Sequence, residues 1–191
     1  VELQLLLDST DALVVLDETY WEFSERHHLA LLQDHDNLVL LRSFSKAFHL
    51  AGARLGYAIG HSELLSEISK YLLPYHLNIF SLCTAEILLE HSEWIQETLE
   101  YIISQRQRIY YEMLLIPHIK PYPSQANFLF FQTENSPESI LQFLQQYGIL
   151  IYNLSSFYPI PNALRMTVGT AEENDTFLNA LCAALNSGYS G

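Results

Sequence analysis

Short apolar runs between polar boundaries organise the early part of the chain. Residues 12–16 (ALVVL) are bounded by Asp11 on one side and Asp17-Glu18 on the other. Residues 37–42 (NLVLLR) form a second run, and residues 54–60 (RLGYAIG), with glycine at both flanks, a third. Apolar, β-branched runs this short predict strands buried on both faces of a parallel sheet. Helical spacing then takes over. Residues 1–7 open the chain as a helix. Ser62 is placed to N-cap another that runs to about residue 73, where Pro74 stops it. Residues 80–91 read as helical. From Ser92 a long amphipathic helix runs to about residue 115, with Ile95, Leu99, Ile102, Ile103, Ile109 and Leu114 among its apolar positions and Pro117 beyond its end.

The period changes again after that proline. Residues 126–132 (ANFLFFQ) predict a strand. Ser136 followed by Pro137 has the order of a helix start, for a helix to Tyr147 with Gly148 as its C′ residue. Residues 149–152 and 164–168 predict further strands. Thr170, with Glu173 three residues on, predicts a capping box for a last helix to about residue 185. Strands and helices alternate first, and a smaller unit follows the long helix. The chain therefore reads as α/β in two parts, divided within residues 90–115.

With 191 residues, 49% hydrophobic and 16% charged, the chain can bury a sizeable core. Its net charge of −13 disfavours nucleic acid and anionic membranes as partners. No apolar run approaches the ~20 residues of a membrane-spanning helix. Only 9 residues are Lys or Arg, so any anion site must be built from very few cations. Cys83 and Cys182 lie far apart and read as reduced, buried thiols, with no disulfide framework and no zinc site. His27, His28 and His35 lack regular ligand spacing, and no metal is expected. The chain lacks an initiator methionine and is expected to be a piece of a longer protein.

Three groups stand at or just past predicted strand ends, where open α/β sheets place their ligands. Asp17-Glu18-Thr19-Tyr20 follows the first strand. Ser43-Phe44-Ser45-Lys46 follows the second. Arg54 comes eight residues after Lys46, in Ala51-Gly52-Ala53-Arg54-Leu55-Gly56-Tyr57, where Gly52 and Gly56 allow close backbone approach. Singly, each also has a plain reading: an acidic strand end, a surface lysine, a strand-edge arginine paired to a carboxylate. Together, a carboxylate, a phenol, two hydroxyls, a lysine and an arginine suit a phosphate-bearing aldehyde cofactor. The lysine binds the aldehyde, the carboxylate a ring nitrogen, and the hydroxyls and arginine the phosphate.

The segments DALVVLDETYWEFS and LRSFSKAFHLAGARLGYAIG closely resemble the fold-type I, class I/II aminotransferases that use pyridoxal 5'-phosphate (PLP). The histidinol-phosphate aminotransferase branch is the nearest, and PSQANFLFF and NALRMTVGTAEENDTFLNAL are similar to it too. The resemblance covers essentially the whole chain, as the family's carboxy-terminal half. It implies part of a three-layer, mostly parallel large domain over residues 1–96 and a smaller α/β carboxy-terminal domain over residues 97–191, entered through the long helix.

The same resemblance implies the residue roles. Lys46 carries the cofactor and shuttles a proton, Asp17 partners the pyridine nitrogen, and Tyr20 bonds the cofactor's phenolic oxygen. Ser43, Ser45 and Arg54 hold the phosphate, and Arg165 grips the substrate's anionic end. The implied reaction passes the amine of histidinol phosphate to 2-oxoglutarate by ping-pong kinetics. It gives imidazole acetol phosphate and glutamate, a step of histidine biosynthesis, in a cytoplasmic homodimer.

Some positions depart from the family's pattern. Its amino-terminal half, with further cofactor contacts, is absent, so weak cofactor binding by this chain alone is expected. Tyr152, in GILIYNLSS, stands where the branch has an arginine; it keeps a donor but loses the charge and the planar fork. His76, in PYHLN, replaces a more usual asparagine. Three alternatives therefore stay open: an aromatic amino-acid aminotransferase, a PLP-dependent decarboxylase of a phosphorylated amino acid, and a catalytically inert fragment. Phe128, Phe130 and Phe131 read as strand packing, and Asn127 matches a small-domain motif of the family.

Overall fold

The first two apolar runs become β1 (Val14–Asp17) and β2 (Leu38–Ser43), paired in parallel with Val14 opposite Leu38 and Asp17 opposite Leu41. The structure, a computed structural model, describes residues 2–24 and 26–187. The third run becomes β3 (Gly56–Gly60), which pairs antiparallel with β2, Ser43 opposite Gly56 and Val39 opposite Gly60. The sheet order is β1-β2-β3, one parallel and one antiparallel pairing.

One face of this sheet is packed. Leu38 and Leu40 are buried against Leu7 of α1 (Glu2–Asp8), with Leu31 and Leu32 of a 3-10 turn at Leu29–Gln33 around them. The predicted start of α1 at Val1 lies outside the described residues. On the other face Val39 is buried, while Val15 and Leu41 keep 53% and 39% of their surface. The expectation of strands buried on both faces is therefore met on one face and only in part on the other.

The helices that follow hold their predicted types and shift their ends. α2 spans Ser62–Ser69, and its N-cap is His61 rather than Ser62, with no side-chain cap bond. It stops before residue 73 because the chain tightens into turns, Tyr71 N–H to Ile68 O and Leu72 N–H to Ser69 O, ahead of Pro74. The residue before a proline resists helical geometry. α3 (Ile79–Glu90) is capped by Asn78, whose side chain accepts from Ser81 N–H. Cys83 lies on it and is exposed, and Cys182 is partly exposed, so neither thiol is buried as expected, though both are free. α4 covers Ser92–Met113.

The chain divides into two compact units, Val1–Glu97 and Thr98–Gly191, at a point within α4. In the second unit β4 (Ile119–Pro121), β5 (Phe128–Thr133), β6 (Tyr152–Asn153) and β7 (Ala163–Thr167) form an antiparallel sheet in the order β4-β5-β7-β6. α5 (Pro137–Gln146) and α6 (Ala171–Asn186) complete it. Leu129 and Phe131 of β5 and Leu164 and Met166 of β7 turn to one side and are buried against Ile140, Leu144, Phe177 and Leu181, with Ile109 and Met113 from α4. This core follows the period-2 alternation of β5.

Two differences have local causes. β4 is short and ends on Pro121, so it shows no apolar run, yet it pairs Ile119 with Thr133 at the sheet edge where proline is tolerated. The strand predicted for residues 149–152 shrinks to Tyr152–Asn153. Its first residues are used to close α5: Gly148, at φ 73°, donates to Gln145 O, and Ile149 donates to Leu144 O. That pair of bonds is a Schellman cap.

Candidate functional site

Parallel pairing brings the carboxyl ends of β1 and β2 to one sheet edge. Asp17 ends β1 and Ser43 ends β2. The antiparallel return of β3 brings Gly56 opposite Ser43, so Arg54 lies two residues from that same edge. Asp17, Tyr20, Ser43, Ser45, Lys46 and Arg54 therefore share one edge of the first unit. Arg165 belongs to the second unit, on β7.

The Lys46 loop is tightly closed. Phe44 N–H donates to Leu55 O at 3.1 Å, Leu50 N–H to Phe44 O at 3.0 Å, and His49 N–H to Lys46 O at 3.1 Å. Phe44 and Leu55 are buried with Ala85, and the Phe48 ring lies 4.6 Å from that of Phe44. Ser43 Oγ accepts from Ser45 N–H at 3.0 Å. His49 and Arg54 both take left-handed backbone angles, φ 56° and 53°. Such angles in non-glycine residues are uncommon and cluster at functional sites. Arg54 thus stands in a turn before the strand rather than inside it.

Gly56 fits the close approach predicted for it, since a Cβ there would meet Arg42 O at 3.0 Å; Gly52 faces open space and carries no such constraint.

Lys46 is half-buried, with its Nζ 5.4 Å from the centre of the Tyr20 ring. It makes no hydrogen bond or ion pair to any described residue, in a chain with 22 acidic groups. The exposed Asp17 carboxylate accepts from Thr19 N–H at 2.9 Å and from the Thr19 hydroxyl. Exposed Arg54 donates from Nη1 to Ala51 O at 3.0 Å and has no carboxylate partner among the described residues. A lysine amine without a hydrogen-bond partner among the described residues, a held carboxylate and a guanidinium with no carboxylate partner on one edge fit an anionic aldehyde cofactor.

In the second unit Arg165 stands opposite Tyr152 on β6 and Phe130 on β5. Its guanidinium lies 5.0 Å from the Tyr152 ring and 5.1 Å from that of Phe128, and its buried Nε has no hydrogen-bond partner. The two rings hold the fork by cation–π contact. Tyr152 stacks on Phe157 at 5.3 Å. A groove of about 760 Å³ opens beside them, lined by Tyr147, Ile151, Tyr152, Arg165, Thr167 and Phe177 among others.

Residues 1–181 match the sequence model of the family described as Aminotransferase class I and II. The chain belongs to that family. It is 38% identical over 181 residues to the histidinol-phosphate aminotransferase of Chlorobaculum tepidum, covering 94% of this chain and 52% of that one. Its fold matches the crystal structure of the histidinol-phosphate aminotransferase from Clostridium acetobutylicum with TM-score 0.88 and 25% identity, over 97% of this chain and 57% of that one. It also matches L-threonine-O-3-phosphate decarboxylase from Porphyromonas gingivalis, TM-score 0.86 over 97% of this chain and 58% of that one, at 23% identity, which speaks to fold alone. The chain spans about half the length of the curated relatives it matches. Mixed α/β architecture of this family is thus present over part of its usual extent.

Beside the edge residues lies a buried polar group that the sequence reading passed over. Glu18 and Arg42, 7% and 6% exposed, form an ion pair over the Trp21 indole. Two signals for it exist in the sequence. Alternation along β1 turns Glu18 to the face opposite Asp17, and Arg42 ends an otherwise apolar run.

Proposed function

We propose that this chain is the cofactor-lysine part of a PLP-dependent aminotransferase that acts on histidinol phosphate, with 2-oxoglutarate and glutamate as the other pair. The identity of 38% over nearly all of the chain carries this reading, and the Lys46 edge supports it. In this reading residues 1–96 are part of a three-layer large domain and residues 97–191 the small domain. The working form is a cytoplasmic homodimer, a feature that rests on family resemblance alone.

Asp17 would hold the protonated pyridine nitrogen, Tyr20 the phenolic oxygen, and Ser43, Ser45 and Arg54 the phosphate. Bound there, PLP supplies an electron sink for bonds at the amine-bearing carbon of the substrate. Lys46 attaches the cofactor and moves the proton at that carbon. Histidinol phosphate has no carboxylate, so Arg165 meets its phosphate in one half-reaction and the carboxylate of glutamate in the other.

One observation favours a second reading. Tyr152, stacked on Phe157 beside Arg165, offers an aromatic wall rather than a second cation, which suits an aromatic amino acid. The test uses the gene product that carries this chain. Titration with PLP should raise an absorbance band that Lys46→Ala abolishes. Amino transfer to 2-oxoglutarate should then be faster from histidinol phosphate than from phenylalanine or tyrosine; the reverse order selects the second reading. Carbon dioxide release without glutamate formation would overturn both.

A further inference from the structure

We propose that the buried Glu18–Arg42 pair is a positioning clamp that fixes the Asp17 end of β1 against the Ser43–Lys46 end of β2. Its functional meaning rests on the cofactor reading above. Side chains alternate along strands, so Asp17 and Ser43 face one side of the sheet while Glu18 and Arg42 face the other. Asp17 and Ser43, two of the proposed cofactor contacts, are thus each the covalent neighbour of one member of the pair.

The contacts join three segments. Arg42 Nε donates to Glu18 Oε2 at 2.9 Å, and Nη2 lies 2.8 Å from the same oxygen, off the hydrogen-bond direction. Glu18 Oε1 accepts from the backbone N–H of His28 at 3.1 Å and lies 2.9 Å from its ring Nδ1. The Trp21 ring lies 3.9 Å from the guanidinium carbon. Glu18 N–H also donates to Leu41 O at 2.8 Å, which extends the β1–β2 ladder one residue past the strand.

The need for a clamp follows from the strands themselves. β1 and β2 share only four register pairs, Val14–Leu38 to Asp17–Leu41, so the end bearing Asp17 frays readily. The loop on the other side carries the left-handed residues His49 and Arg54, which persist only when their surroundings fix them. A buried ion pair costs desolvation and is a poor source of net stability, while removing one partner leaves an uncompensated charge. What the pair supplies here is a fixed relation between two strand ends.

Hydrogen exchange of the cofactor-free protein tests the clamp without relying on catalysis. Glu18→Gln should speed exchange at the amides of residue 18 and Ser45 by about tenfold or more, the loss expected for a charge-assisted contact. Amides of the β2–β3 ladder should change far less. Arg42→Lys, which keeps the charge, should give a smaller effect at the same amides and serves if Glu18→Gln does not fold. Parallel change throughout the sheet, or none at residue 18, overturns the clamp. In a PLP titration, with each protein held the same interval below its own thermal midpoint, the wild type should bind more tightly than Glu18→Gln; equal affinity also overturns the proposed role. A wild type that shows no lysine-dependent band overturns the cofactor reading instead, and the exchange result still decides whether the clamp exists.

Discussion

Glu22 shows how burial can outweigh its neighbours in setting a side chain's chemistry. Its carboxyl is held above the usual value of 4.5, first by desolvation; its own backbone N–H, the charge of Arg42 and the Trp21 indole pull partly the other way, and Glu18 adds to the rise. Both of its oxygens are buried outside normal hydrogen-bond geometry. A carboxyl whose folded pKa is raised favours the fold below its unfolded value, and that contribution is lost as pH rises through the folded value. Glu22→Gln is neutral throughout. Its stability should therefore gain on the wild type as pH climbs through the raised value and then level off, as read from urea midpoints between acid and neutral pH. A constant difference across that range would show that burial does not govern Glu22. At this scale the meeting of Asp17, Tyr20, Lys46 and Arg54 on one edge was legible because each stands at or near a strand end; the cofactor roles proposed for them rest on the family resemblance. Glu18 was not singled out, since nothing in its type distinguishes it from Asp17.

At the scale of elements, caps decide where helices begin and end. The capping box at α6 is present in both directions: Thr170 accepts from Glu173 N–H, and Glu173 accepts from Thr170 N–H. At Gly169, just before it, a Cβ would meet Glu173 Oε2 at 2.5 Å and Glu173 Cβ at 3.3 Å, so the Glu173 side chain would have to shift to admit one. Buried Asn174 ties the same turn by accepting from Gly169 N–H and donating to Gly169 O. Thr170→Ala should cost about 1 kcal/mol, a usual cap loss. Gly169→Ala should cost at least as much by displacing Glu173, and the double variant should cost less than the sum because both act on one turn. Denaturant unfolding measures all three. These boundaries were legible because caps are local, lying within a few residues of each other. Ser62 was off by one position, and the 149–152 strand failed, because Gly148 and Ile149 close α5 before any strand begins.

The first unit leaves a large apolar surface open to solvent. Tyr75 and Phe80 are 100% and 81% exposed, with Tyr71, Leu73 and Ile79 exposed around them. α3 is apolar on all sides, the pattern of a helix made to be covered. Patches of this kind mark contact surfaces. The purified chain should therefore enhance the fluorescence of an apolar dye and self-associate as concentration rises, despite its charge of −13. A monodisperse, dye-inert chain would show that this face is covered within the molecule. Among the described residues no helix is long and apolar enough to cross a membrane.

The sequence by itself indicated the types of most elements, the α6 capping box and the Gly148 close of α5, and the residues at the proposed cofactor edge. Each depends on neighbours close along the chain or on a period read from it. Tertiary structure decided the rest. It set β3 antiparallel to β2, left one face of the first sheet partly open, and placed Arg165 between Phe128 and Tyr152. It also joined Glu18 to Arg42 across 24 positions, beneath the edge where Asp17 and Lys46 stand. Such pairings depend on which distant segments share a buried face, and no local pattern of polar and apolar residues carries that information.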